Sequence, residues 1–152
     1  MESLSPGSLI RTTDEQREAI DLLEEMMSEN FKSSPSPKNA FRSPFSNSFY
    51  SFLLKEINAL GRNRETVEKY LKKTLAEVKD LSGIKITLAT YPDITILSVI
   101  ENWLNKNGLE RCVFDISTDP KILGGAIIIG QKGQYKDYSL SSEIDNFLKM
   151  TK

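Results

Sequence analysis

The stretch from Asp119 to Ser139 reads DPKILGGAIIIGQKGQYKDYS, and it decides how the second half of the chain folds. It contains an Asp-Pro pair, a double glycine, an apolar run, two further glycines and a closing Asp-Tyr-Ser. Three interpretations are open: a phosphate-binding loop, a catalytic turn and a structural hairpin.

The glycines of this stretch do not have the spacing of a nucleotide-binding loop. A Walker loop ends in Gly-Lys-Ser/Thr, whereas here Lys132 precedes Gly133 and no hydroxyl residue directly follows the lysine. A dinucleotide-binding loop leads from a strand through glycines into a helix, but here a strand follows the glycines. We therefore predict no cofactor.

Three aspartates near the stretch, Asp115, Asp119 and Asp137, raise the possibility of an acid/base pair. A structural role explains them better, because Asp119 before Pro120 can close an Asx turn. Asp137 lies two residues before Ser139 at a predicted helix start, where backbone N–H groups favour a carboxylate. We therefore predict no catalytic residues. Enzymatic activity is the function that the sequence favours least.

A structural interpretation accounts for the remaining residues. Gly124 and Gly125 allow backbone angles closed to other residues, or the close approach of another element. Residues 126–130, AIIIG, then form a strand that is apolar on both faces, joined through Gly130 and Gly133 to a strand at 134–138. A small two-layer domain normally leaves one sheet face to water. An apolar outer face therefore predicts a covering helix, from this chain or from a partner.

Composition excludes several functions. The chain has 152 residues, a net charge of −1, one cysteine and no histidine. Without histidine it lacks the commonest general base and the commonest neutral metal ligand, so we expect no metal site. The near-zero charge argues against nucleic acid as a partner. No apolar run approaches the ~20 residues that span a bilayer, which predicts no direct membrane insertion. Cys112 alternates with apolar residues and is predicted to lie in the core, in a reducing compartment.

The first 46 residues read as a helix followed by a linker. Residues 13–31 carry apolar side chains at three- and four-residue steps, and Thr13 or Asp14 can cap the helix. This narrow stripe, which suits packing on a single partner helix, consists of Ile20, Leu23, Met27 and Phe31, widened only by Leu22 and Met26. Residues 32–46 hold three prolines and five serines and are predicted to be a linker.

The region 47–82 is predicted to be helical. A first helix over 47–60 can end at Gly61 in a left-handed cap, and Asn63 can cap the next helix. In that helix Glu65–Lys69 and Glu68–Lys72 are favourable four-apart pairs.

Residues 83–152 are predicted to form a β-α-β-β-β-α two-layer domain with a mixed sheet, which makes the chain α+β. Strands are expected at 84–90 and 112–117, parallel to each other because a helix over 94–107 connects them. The residues of this helix predicted to face the sheet are Ile96, Val99, Ile100, Trp103 and Leu104. A last helix over 140–150 is predicted to begin after a cap at Ser139. The residues of this helix predicted to face the sheet are Leu140, Ile144, Phe147 and Leu148.

Residues 64–149 resemble the δ subunit of F-type ATP synthase, which in mitochondria is the oligomycin-sensitivity-conferring protein. That family has Asp-Pro-x-x-x-Gly-Gly, an apolar strand ending near glycine, and Asp-x-Ser before the last helix. Matching residues are Asp119, Pro120, Gly124, Gly125, Gly130, Asp137 and Ser139. The E subunit of vacuolar and archaeal rotary ATPases has a similar plan, but the Asp-Pro and the Asp-x-Ser favour δ.

The resemblance implies a non-catalytic peripheral-stalk subunit, or stator. Its expected partners are the b-type stalk subunit and the α subunit of the catalytic head. Its expected location is the inner face of the plasma membrane within a membrane complex, or the mitochondrial matrix side or chloroplast stroma in a eukaryote. The residues that the resemblance assigns to stalk binding are Ile127, Ile129, Leu140, Ile144 and Phe147.

The sequence departs from the family in two places. Ser141 stands where the family usually has a basic residue. Only residues 1–63 precede the match, so the family's N-terminal helical bundle, which binds the head, is either reduced or replaced. A non-enzymatic adaptor that binds an unrelated helix is the alternative.

Charge is also unevenly distributed along the chain. Residues 1–31 carry eight acids and two bases, and residues 32–83 carry ten bases and five acids. These segments either form solvated helix faces or contact partner subunits.

Overall fold

The computed structural model describes residues 5–29, 42–61, 63–106, 112–130 and 133–138. The chain divides into two compact units, Met1–Leu81 and Ser82–Lys152. The first unit is helical and the second carries a four-stranded mixed sheet. The predicted α+β class is therefore confirmed.

The first unit contains a short 3-10 turn and three helices. The turn spans Pro6–Leu9, and the helices are α1 (Thr13–Glu29), α2 (Pro44–Ala59) and α3 (Arg64–Lys79). Helix α1 packs against both α2 and α3, so the prediction of a single partner helix was wrong. The cause is a wider buried stripe on α1 than the sequence suggested, formed by Ala19, Leu22, Leu23 and Met26.

Helix α1 begins with a capping box. The Glu15 backbone N–H donates to Thr12 Oγ1 at 3.2 Å, and the Thr12 N–H donates to Glu15 Oε2 at 3.2 Å. This reciprocal pair satisfies two of the backbone donors that a helix start leaves open. The cap is therefore Thr12, one residue before the earlier of the two predicted positions.

The start of α2 is fixed by a carboxylate on α1. Ser43 is the N-cap, and its Oγ accepts from the Ser46 N–H at 3.1 Å. Glu18 accepts from both hydroxyls, Ser43 Oγ and Ser46 Oγ, the second at 2.6 Å. Pro44 is the first helical residue, because a helix start does not need the N–H that proline lacks. The predicted linker over 32–46 therefore ends earlier than expected.

The connection between α2 and α3 follows the prediction. Gly61 has a left-handed φ of 80° just after α2, and the Asn63 side chain accepts from the Glu65 N–H at 3.0 Å. At the other end of α3, the Gln16 amide of α1 donates to the Val78 carbonyl at 2.8 Å. The Gln16 side chain thus satisfies a backbone acceptor that the end of a helix leaves open.

The acidic and basic segments pair with each other inside this unit. Lys79 Nζ lies 2.8 Å from Glu24 Oε1, and Arg42 Nη1 lies 3.4 Å from Asp21 Oδ2. These pairs are largely exposed, and each such pair stabilises a protein by at most about 1 kcal/mol. They nevertheless neutralise part of the charge asymmetry within the chain.

The second unit is built around strand β1. Its elements are β1 (Ser82–Leu88), α4 (Ile94–Lys106), β2 (Cys112–Thr118), β3 (Ala126–Ile129) and β4 (Tyr135–Asp137). The strand order is β2-β1-β3-β4; β1 pairs parallel with β2 and antiparallel with β3. The predicted strand–helix–strand–strand–strand order and the parallel pair are confirmed.

The inner face of the sheet packs against α4. The buried cluster contains Ile84, Ile86, Leu88 and Phe114 from β1 and β2. Leu97, Ile100 and Trp103 of α4 pack on it, as do Cys112, Ile116, Ala126 and Ile128 of the strands. Cys112, predicted to be a buried core residue, thus packs against the core but is itself only partly buried.

Two residues of α4 depart from the prediction. Ile96 is 48% exposed and Val99 is 63% exposed, although both were expected to face the sheet. The reason is the helical rotation: the stripe directed at the sheet runs through Leu97 and Ile100, so Ile96 and Val99 lie on its flank.

Several predicted features lie outside the described residues. They are Phe31, most of the linker over 32–46, the last helix over 140–150 with its cap Ser139, and the stalk-binding residues Leu140, Ile144 and Phe147.

We predict that replacing Ser46 by alanine destabilises the chain by about 1–2 kcal/mol, because Glu18 loses a buried hydrogen-bond donor. Ser46 is only 1% exposed. Urea unfolding followed by circular dichroism measures the effect. The matched control is Ser48→Ala, since the exposed Ser48 hydroxyl only donates to a carbonyl of its own helix. Equal free energies of unfolding for the two variants would contradict the assigned role of Glu18.

Candidate functional site

A rigid turn after β2 is the centre of the candidate site. Asp119 caps a 3-10 turn over Pro120–Ile122, and its carboxylate accepts from the Lys121 N–H at 2.9 Å. The Asp119 N–H in turn donates to the carbonyl of Leu88 at 2.8 Å, which fastens the turn to the end of β1. The predicted Asx turn is confirmed.

Three successive residues then adopt left-handed backbone angles. Leu123, Gly124 and Gly125 have φ values of 56°, 116° and 81°. The prediction for the glycine pair is confirmed, because L residues with a side chain rarely adopt such angles. The left-handed Leu123, whose side chain is 65% exposed, was not predicted. No motif marks it; only the neighbouring glycines could have suggested that the left-handed segment begins earlier.

This turn places β3 beside β1 in a defined register. Ile127 lies opposite Thr87, and Ile129 lies opposite Lys85. Because side chains alternate along a strand, Ile127 and Ile129 lie on the outer face while Ile128 joins the inner core. The prediction of a strand that is apolar on both faces is confirmed. Ile127 is half-buried and Ile129 is 36% exposed.

The hairpin from β3 to β4 closes through Gly130. Its N–H donates to the carbonyl of Gln134 at 2.8 Å, and the Gly133 N–H donates to the carbonyl of Gly130 at 3.1 Å. Gly133 has a left-handed φ of 71°, which favours glycine in this tight turn. The predicted hairpin is confirmed.

The outer face has a polar half and an apolar half. Over β1 and β2, Lys85 lies opposite Asp115, and Thr87 Oγ1 is 2.9 Å from Ser117 Oγ. Over β3 and β4 the face carries Ile127, Ile129 and the exposed Tyr135, with the Asp137 carboxylate at its margin opposite Ile127. Apart from the buried Val113, the apolar outer surface is thus confined to the β3–β4 edge. Tyr135 was missed because QYKDY shows no apolar alternation.

The three aspartates are not gathered into one site. Asp115 lies on β2 and Asp137 on β4, which are three strand spacings or about 14 Å apart. Asp119 caps its own turn, and Asp137 accepts from the Tyr135 hydroxyl at 3.3 Å. The predicted role of Asp137 at the start of the last helix concerns residues outside the described part. Asp115 and Asp137 are therefore too far apart to act as an acid/base pair on one substrate atom.

Two further features bear on chemistry. Burial raises the pKa of the half-buried Cys112 thiol, which disfavours the thiolate that a nucleophile requires. Among the described residues no group of histidine, cysteine and acidic side chains could hold a metal ion. In the same part of the chain, none of the helices combines the length and apolar character needed to cross a bilayer.

Comparisons with known proteins find no match, either among protein-family models or among curated proteins.

We predict that Gly125→Val destabilises the second unit by about 1–2 kcal/mol or more, because valine is poorly tolerated at a left-handed φ. The matched control is Gly83→Val in β1, where an added Cβ meets no atom within 4 Å and φ is not positive. Melting followed by the fluorescence of Trp103, the only tryptophan of the chain, reports on this unit. An unchanged melting temperature for Gly125→Val would refute the role given to the left-handed turn.

Proposed function

We propose that this protein is a non-catalytic stator subunit of an F-type rotary ATP synthase, which joins the catalytic head to the b-type stalk. The observation that carries the proposal is the turn over residues 119–125, which presents an apolar strip on the outer face of the sheet. The strip, named here the β3–β4 strip, consists of Ile127, Ile129 and Tyr135. In the order of its motif residues the sequence resembles the δ subunit, as described above.

The geometry of the strip suits a helix. Ile127 and Ile129 lie about 7 Å apart along β3, since alternate residues of a strand are two rises apart. Residues three or four apart on a helix are separated by about 5–6 Å, so two successive turns of a helix can contact both isoleucines. The polar half of the face borders the strip and favours binding at the β3–β4 edge rather than across the whole sheet.

A stator must transmit torque without deforming, and the local structure supports this role. Asp119 is tied both to its own turn and to the end of β1, and β3 is paired on both sides. Each paired strand limits the movement of its neighbour, because shifting it breaks several backbone hydrogen bonds together. A joint of this kind needs neither a cofactor nor a catalytic group.

The first unit is the proposed contact to the α subunit of the head. Its helices form a small bundle, with acidic side chains on the exposed face of α1 such as Asp14 and Glu24. Part of that charge is paired with Arg17 and Lys79 within the chain. The complex would hold the protein at the inner face of the plasma membrane, or at the matrix or stromal side in a eukaryote.

A second candidate is a helix-binding adaptor unrelated to ATP synthase. It uses the same β3–β4 strip and differs only in the protein that supplies the helix.

We expect Ile129→Lys to weaken binding to the soluble helical part of a b-type subunit by about tenfold or more, because a charge in the apolar contact must be desolvated. Titration calorimetry with the full chain measures the dissociation constant. The matched control is Asp115→Lys, which introduces the same side chain on the polar half of the same face.

Co-purification separates the two candidates. A stator subunit is recovered with a membrane-bound rotary ATPase, and Ile129→Lys reduces the recovery. Recovery of a partner set without ATPase subunits would reject the stator and leave the adaptor.

A further inference from the structure

A groove lies on the inner face of the sheet, opposite to the β3–β4 strip. Its cavity of about 570 Å³ lies beside α4. It is lined by Ile84, Trp103, Ile128, Gly130, Gln134, Tyr135 and Lys136. Cavities of this size fall in the range that binds ligands or anchoring side chains.

The flank of α4 forms the wall of this groove. Trp103 lines the cavity, and its ring meets Tyr138 edge-on, with centroids 6.1 Å apart. Ile96 and Val99 lie seven and four residues before Trp103, so all three share one flank of the helix. The exposure of Ile96 and Val99 continues the apolar wall beyond the cavity. The apolar surface is therefore an elongated strip, as an incoming helix requires, rather than a closed pocket.

The charge of the groove is one-sided. Lys136 is the one charged residue among those that line the cavity in the described part of the chain, and none of these is a carboxylate. Lys106 follows on α4, three residues after Trp103, and is exposed. An apolar groove with ammonium groups at its rim is complementary to a helix that has acidic residues beside its apolar stripe.

We propose that this groove, bounded by the α4 flank and the inner side of β3 and β4, binds an acidic amphipathic helix of a partner protein. The apolar stripe of that helix packs on Val99, Trp103 and Ile128, and a carboxylate next to the stripe pairs with Lys136. This is the helix-in-groove mode of recognition, in which anchors recur at three- and four-residue steps. The site lies on the opposite face from Ile127 and Ile129, with Tyr135 bordering both surfaces, and it does not depend on the stator function.

The test is a selection with the full chain as the target. The probe is a displayed library of tryptophan-free 18-residue peptides with apolar residues fixed at helical spacing and all flanking positions random. We expect the enriched peptides to carry aspartate or glutamate beside the stripe. Because Trp103 is the only tryptophan, binding of a synthetic enriched peptide should shift its emission. Failure to enrich any helix, or enrichment of basic flanks, overturns the proposal.

Two pairs of variants locate the binding site. Val99→Asp should weaken peptide binding by about tenfold or more, whereas Asn102→Asp on the exposed side of α4 should not. Lys136→Glu should weaken binding of the acidic peptide and strengthen binding of a version with lysine at the acidic positions. Lys85→Glu, on the outer face, should change neither affinity. Val99 and Lys136 are exposed, so both variants should retain the circular dichroism of the parent. Binders insensitive to Val99→Asp would refute the site.

Two further measurements test whether the groove is instead occupied by this chain's own residues or by a second copy of the chain. A synthetic peptide of residues 139–152 that displaces the selected peptide with higher affinity would assign the groove to this chain. A dimer in sedimentation velocity that Val99→Asp dissociates would assign it to a second copy. Either result overturns the partner proposal, while a monomeric chain whose bound peptide resists displacement supports it.

Discussion

The second unit depends on the left-handed backbone of Leu123, Gly124 and Gly125. A chain leaving β2 must pass the end of β1 and reverse direction to pair on its other side, within seven residues. In this chain three consecutive positive φ values make that reversal within the connection, and glycine adopts such angles at little cost. The carboxylate of Asp119 and the N–H of the same residue fix the entry to the turn. Strand register, and with it the assignment of every side chain of β3 to one face, follows from this geometry.

A one-residue shift at this turn would exchange the two faces of β3. Ile128 would then leave the core, and Ile127 and Ile129 would enter it. The strand is apolar at all three positions, so hydrophobic pattern alone specifies its register weakly. The turn and the Gly130 hairpin supply the missing information from both ends. This explains how a strand can carry an interaction surface on one side without losing its place in the sheet.

Much of the fold could be predicted because its signals are local. The Asx turn at Asp119, the caps at Gly61 and Asn63, and the parallel pair joined by α4 each follow from a few neighbouring residues. The errors occurred where neighbouring residues leave more than one outcome possible. Pro44 was assigned to a linker because it follows two other prolines, although proline is also a favoured first residue of a helix. Thr12 was not predicted as the N-cap, because Thr13 and Asp14 are residue types that cap a helix equally well.

The candidate site was predicted only in part for a related reason. Glycine pairs and alternating isoleucines can be read directly, and they indicated the turn and Ile127 and Ile129. The rotation of α4 about its own axis determines which of its residues face the sheet. The sequence does not fix that rotation, so the prediction for Ile96 and Val99 was wrong. Tyr135 became part of the outer strip only through cross-strand pairing with Ile129. Such pairings bring together residues on different strands, and a pattern of neighbouring residues does not predict them.

The central position of β1 has a consequence for synthesis of the chain. Both strands that pair with β1 are encoded after it, and the second pairing is complete only at Ile129. During translation, therefore, β1 leaves the ribosome with both hydrogen-bonding edges open, and it waits for some forty further residues, about 2–8 s at ordinary elongation rates. The helical unit is encoded before β1, so all of its residues have been synthesised by then. Vectorial synthesis thus imposes an order of assembly, helices first and sheet last, in which an unpaired apolar strand is the intermediate that most needs protection from other nascent chains.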